Sequence, residues 1–174
     1  MSNAIVTVFV VVLMLTAVLS WSQATVSSVD SGAQSLKDMA EAAQEASRTD
    51  FEVIGANNTA PFVEVWVHNC GRVHLADFSK WDVLFEYYDG NGTYRIVSLG
   101  YTEEADPSDE EWTVSTIFSD ISMDGGEVFD PGILDPGEVM LVRMKLNPAP
   151  GPATTDRVKL SSPNGVVASA QFRG

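Results

Sequence analysis

The chain gathers its only cysteine and both of its histidines into one short stretch, His68-Asn69-Cys70-Gly71-Arg72-Val73-His74. A thiolate and two imidazoles so close together are natural ligands for zinc or copper. A closed zinc site needs a fourth ligand from elsewhere, and Asn69 to Gly71 also reads as the turn that ends a strand. The turn is the preferred reading, so no metal and no cofactor is assigned here. A second stretch, Asp120 to Gly125, matches the first half of a calcium loop, with oxygen ligands at Asp120, Ser122 and Asp124 and a glycine in sixth place. Its twelfth position is Pro131, where a bidentate glutamate belongs, so a solvated acidic turn competes with the calcium reading. The acidic run Glu103 to Glu111 reads as a solvated loop.

Two triplets, Asn57-Asn58-Thr59 and Asn91-Gly92-Thr93, match the N-glycosylation acceptor pattern, which requires a surface position outside the cytoplasm. Asn57 and Asn91 are therefore glycosylation candidates. The sequence offers no nucleophile beside a recognisable base, no phosphate-cradling glycine loop and no helix with paired carboxylates at ligand spacing. An enzyme is not expected.

The elements that must carry these residues follow from periodicity. From Phe51 onward apolar residues alternate with a period of two, as where Val63, Val65 and Val67 face one way and Glu64, Trp66 and His68 the other. Trp81 to Tyr88 and Thr93 to Tyr101 form a hairpin about Asp89-Gly90-Asn91-Gly92. Further strands are expected at Trp112 to Phe118, Glu138 to Leu146, Arg157 to Ser161 and Val166 to Phe172, with loops at Thr102 to Glu111 and Asn147 to Asp156. Short strands with regular turn signals predict an antiparallel, Ig-like sandwich of about seven strands.

The chain opens differently. Ala4 to Trp21 is uncharged and mostly apolar, long enough as a helix to cover most of a bilayer core of roughly 30 Å. Val26, Val29, Ala33, Leu36, Ala40, Ala43 and Ala46 then recur at spacings of three and four, while charged residues fill the other faces. No proline occurs before Pro61, so one helix is expected from about Asn3 to Arg48, on the order of 70 Å long. A signal anchor is hard to orient, because no Lys or Arg precedes the apolar run. A basic leader removed on the N-terminal side of that run resolves the difficulty.

Overall acidity is strong: 24 acidic against 10 basic residues give a formal charge of −14, and the first charge in the chain is Asp30. Nucleic acid is excluded as a partner on this ground. With a single cysteine, no disulfide forms within one chain.

An apolar start that continues as a long helix into a β-rich domain resembles the type IV pilin superfamily. Within it the chain looks more like the archaellins, subunits of the archaeal motility filament: it has Ile5 where typical pilins carry a glutamate. The segments "VEVWVHNCG", "LDPGEVMLVRM" and "VKLSSPNGVVAS" resemble the β-sandwich shared by archaellins and the F and G stator-type subunits.

The fold class so implied is α+β: a long N-terminal hydrophobic α-helix, residues 1–50, followed by a β-sandwich, residues 51–174. The resemblance implies a structural subunit that polymerises with itself into an extracellular helical filament at the cell surface. It would sit in the cytoplasmic membrane before assembly and be handled by a leader peptidase and by assembly and motor machinery. Filament proteins of this superfamily are often glycosylated. Helix packing would run through Ile5, Val8, Phe9, Val12, Leu15 and Leu19 in the apolar run. Below it, Val26, Val29, Ala33, Leu36, Ala40 and Ala43 would continue the contact. A membrane-anchored F- or G-type stator subunit, or a non-motile adhesive pilus subunit, shares the same plan.

Overall fold

The computed structural model of the protein describes residues 2–127 and 130–173, with backbone alone for residues 2–6 and 22–31. One helix, α1, runs Ser2–Arg48, uninterrupted as the absence of proline predicts. Thr16 and Ser20 turn their hydroxyls back onto the helix, donating to Leu13 O at 2.9 Å and Thr16 O at 2.8 Å. The apolar stretch therefore carries its polar groups already satisfied. The expected membrane-length run, Ala4 to Trp21, begins in residues whose side chains lie outside those described. Among the described residues, no helix is long and apolar enough to cross a membrane. Residues 7–21 alone give roughly 22 Å of helix, short of a bilayer core.

The chain divides into two compact units, Met1–Gln44 and Glu45–Gly174. The second begins with the last turn of α1, where Thr49 N bonds Glu45 O at 3.0 Å and Ala46 O at 3.2 Å. That turn is tied into the β structure by Arg72 N to Arg48 O at 2.9 Å and Asn164 Nδ2 to Thr49 Oγ1 at 2.6 Å.

The eight strands are β1 (Glu52–Thr59), β2 (Phe62–His68), β3 (Asp82–Tyr88), β4 (Tyr94–Tyr101), β5 (Glu111–Phe118), β6 (Val139–Lys145), β7 (Thr155–Ser161) and β8 (Val167–Arg173). They are ordered β1-β2-β6-β5-β4-β3-β7-β8, and the outer strands β1 and β8 come into contact, which rolls the sheet into a sandwich with a barrel-like closure. All ladders are antiparallel except a short parallel one, Gly100 to Glu111 and Tyr101 to Trp112, which joins β4 to β5. This corrects the purely antiparallel expectation. A half with β1, β2, β6 and β5 and a half with β4, β3, β7 and β8 are joined by strand pairing only at that junction.

Sequence periodicity places seven of the strands where they stand, β2 to β8 with the β3–β4 hairpin included, but β1 is additional. Its sequence, Glu52 to Thr59, holds Gly55, Asn57 and Asn58, residues disfavoured in strands, and its register slips between Val53 and Gly55. The bulge breaks the alternation on which recognition depends.

The core lies between the halves. Val63, Val65 and Val67 are fully buried, while Glu64, Trp66 and His68 sit half-buried on the opposite face. Phe85, Tyr87, Trp112, Met140, Met144 and Leu160 complete the packing. Each such side chain contributes about 1.5–3 kcal/mol of transfer free energy. Two polar tips in the core find partners: Tyr87 Oη donates to Pro148 O at 2.8 Å and Trp81 Nε1 to Ala76 O at 3.1 Å.

Candidate functional site

Two regions of the molecule have the chemistry to act. The first is the exposed face of α1. Val8, Phe9, Val12, Leu15 and Leu19 stand in the open, as do Leu36, Ala33, Ala40 and Ala43 further along. Trp21 is 79% exposed, Leu36 70% and Met39 68%. The side chains of Ile5, Val26 and Val29 lie outside the described residues. Polar contacts keep to a different face: Gln34 Nε2 donates to Asp38 Oδ1 at 2.8 Å, and Lys37 stands 3.7 Å from Glu41 one turn on. An apolar stripe with a separate charged face is the mark of a helix made to be covered on one side.

The second region lies at the end of the β1–β2 ladder. Asn69 is fully buried and fully employed: Nδ2 donates to Val73 O and Leu134 O, both at 2.9 Å, and Oδ1 accepts from Gly71 N at 3.1 Å. The stretch after His68 is thus a built turn, as the sequence suggests. Gly71 has no room for a side chain, since a Cβ there would lie 2.5 Å from Asp50 N and 2.9 Å from Arg48 O.

The turn separates the two histidines. His74, 69% exposed, pairs through Nδ1 with Asp135 Oδ1 at 2.5 Å, and this hydrogen bond and charge raise its pKa. His68 and Cys70 instead meet Glu52, which stands opposite His68 in the β1–β2 register. Sequence reasoning missed Glu52 because it lies on the strand that periodicity did not reveal; the register of β1 against β2 is what brings it in. Partial loss of solvation, the Asp50 carboxylate and then Glu52 push the Cys70 thiol pKa up.

In the acidic loop, Asp120 Oδ1 accepts from Ser122 N at 2.8 Å and from the Ser122 hydroxyl, a self-contained turn, while Asp124 is exposed nearby. Asn57 is exposed on β1 with Nδ2 3.3 Å from Thr59 Oγ1, and Asn91 is exposed at the tip of the β3–β4 hairpin.

No protein-family model matches the chain, and no curated protein does either. Solved structures do. The archaellum periplasmic stator protein FlaG from Sulfolobus acidocaldarius is 24% identical, with a TM-score of 0.50 over 71% of this chain and 99% of that one. The FlaF and FlaG stator complex from the same organism matches at 22% identity and TM-score 0.50, over 70% of this chain and 87% of that one. The archaeal flagellum of Methanospirillum hungatei strain JF1 matches at 9% identity and TM-score 0.55, over 95% of this chain and 89% of that one. At these identities the likeness is one of fold: the chain has the architecture of archaellum components, both stator and filament.

Proposed function

We propose that this protein is a structural, non-enzymatic subunit of an archaellum-type assembly at the cell surface. Its α1 helices pack against those of other copies to form the core of an extracellular filament. The observation that carries this reading is the position of Leu36 and Met39. Both are exposed apolar side chains, and Leu36 lies roughly 22 Å along the helix beyond Trp21. A bilayer that covers the apolar run up to Trp21 does not also reach Leu36, which neighbouring helices would cover in a filament core. Parallel copies related by rotation and rise cover it on every subunit and extend without limit. Inside the cell the apolar run would rest in the cytoplasmic membrane, and assembly would exchange lipid contacts for helix contacts.

The β-sandwich units form the outer surface in this reading, with Asn57 and Asn91 positioned for glycans. Their acidity keeps filaments dispersed and makes contacts between neighbours responsive to salt.

A stator-type role is the second reading, favoured by the match of 71% of this chain to nearly the whole FlaG chain. There the helix anchors a single copy, and the sandwich meets another envelope component. Electron microscopy of sheared cell-surface material, with identification of this chain in the fibres, separates the two. Fibres built of this chain support the filament; detergent-dependent single copies that stay in the envelope overturn it.

A further inference from the structure

Three side chains from separate places in the sequence converge on the outer face of the sandwich. Glu52 opens β1, His68 closes β2 directly opposite, and Cys70 follows on the turn that Asn69 builds. Their ligand atoms all lie within 4.8 Å of one another. Tetrahedral zinc, with bonds of roughly 2.0–2.3 Å, holds its ligand atoms roughly 3.3–3.8 Å apart. Glu52 Oε1 and His68 Nδ1 already stand 3.5 Å apart. That separation is at the outer limit of a hydrogen bond, and His68 Nδ1 is buried without a hydrogen-bond partner. A buried ring nitrogen left this way is costly, and its neighbours are a carboxylate and a sulfur that share its affinity for a borderline metal.

We infer that Glu52, His68 and Cys70 form a zinc-binding site, with its fourth position open to solvent. One imidazole nitrogen and one thiolate select zinc over calcium and magnesium, which take oxygen ligands. A carboxylate and a thiolate balance the two positive charges of the ion, so the filled site is neutral. Binding releases the thiol proton to solvent as the sulfur–zinc bond forms. Because Glu52 is the first residue of the edge strand β1, the ion would clamp that strand to the turn after β2, where Gly71 packs against Asp50. The site belongs to the sandwich alone and holds in either reading of the assembly.

The test uses the full-length chain. Zinc is titrated against a chromophoric chelator, and cobalt(II) is added as a spectroscopic stand-in. One zinc per chain and a cobalt–thiolate charge-transfer band in the near ultraviolet are expected. Cys70→Ser abolishes the band. His68→Ala and Glu52→Gln weaken zinc binding by more than the roughly 10- to 100-fold typical of outer-sphere partners. His74→Ala, which removes the histidine held by Asp135, leaves binding unchanged. Zinc also raises the melting temperature of the parent protein and not that of Cys70→Ser. Cys70 and Glu52 are exposed, so both variants keep the fold and remain informative. Absence of the band at saturating cobalt, or zinc binding equally tight in Cys70→Ser, overturns the site.

Discussion

Arg95 donates from Nε to Asp89 Oδ2 at 2.9 Å, while Asp89 Oδ1 accepts the backbone N–H groups of Asn91 and Thr93, each at 2.9 Å. One carboxylate thus closes the β3–β4 hairpin at its tip and anchors its returning strand. The amide of Thr93, then Arg95 and the amide of Asn91, hold the Asp89 pKa below the usual carboxylate range. The folded state favours the ionised form. Its stabilising contribution is therefore complete above the ordinary carboxylate pKa of about 3.9 and is lost as pH falls through the lower folded value.

Asp89→Asn is accordingly expected to lower the urea midpoint near neutral pH. The gap between variant and parent should close as pH falls below about 3.9. Fluorescence of the buried Trp81 and Trp112 reports the transition. A gap of the same size at both ends of that range would show that the charge does not matter.

Gly71 makes a steric prediction. A Cβ at this position meets backbone atoms of Arg48 and Asp50, and backbone cannot swing aside as a flexible side chain can. Gly71→Ala should destabilise the sandwich by roughly 1–3 kcal/mol, the usual scale of overpacking. Gly90, at the hairpin tip, has nothing within 4 Å of the added atom. Gly90→Ala should stay within about 0.5 kcal/mol of the parent in the same denaturation experiment.

These two glycines also mark what could be read from the sequence. Gly90 sits in a turn that alternating apolar residues on both sides make plain, and the hairpin stands where they place it. Gly71 was legible as part of an Asn-x-Gly turn, but its close approach to Asp50 depends on β1, which Gly55, Asn57 and the bulge conceal. The candidate metal cluster fails to appear in sequence for the same reason. His68 and Cys70 are neighbours in the chain, whereas Glu52 joins them only through a strand register that no local pattern encodes. The long helix is the opposite case, since its period and lack of proline are both local.

Asp156 is buried at the start of β7, where its carboxylate accepts from Thr154 Oγ1 at 2.9 Å and Asn58 Nδ2 at 3.3 Å. No cation reaches it among the described residues, and burial pushes its pKa up. Here the sign reverses: the protonated form is favoured by folding, so the benefit is present below the ordinary carboxylate pKa and is lost as pH rises through the folded value. Asp156→Asn keeps hydrogen-bonding capacity without the charge. Near neutral pH it should match or exceed the parent, changing stability by no more than about 1 kcal/mol in the destabilising direction. A larger loss in thermal or urea unfolding would mean that the carboxylate charge itself holds β1 to β7.

The helix stripe gives the sharpest division between the two assemblies. Ala33, Leu36, Ala40 and Ala43 line one exposed face, and the Lys37–Glu41 and Gln34–Asp38 pairs occupy another. Where neighbouring helices approach along that face, a small residue permits close contact and a large one forces them apart. Ala40→Trp in a filament core should cost roughly 1–3 kcal/mol per subunit contact and raise the critical concentration for assembly by roughly 5- to 150-fold. Every subunit added meets the same obstruction, so fibre yield should collapse while circular dichroism shows the fold intact. On a helix whose lower part faces water the same substitution changes helix propensity by less than about 0.7 kcal/mol and leaves function untouched. Normal fibre yield from Ala40→Trp would remove close helix packing at this position from the mechanism.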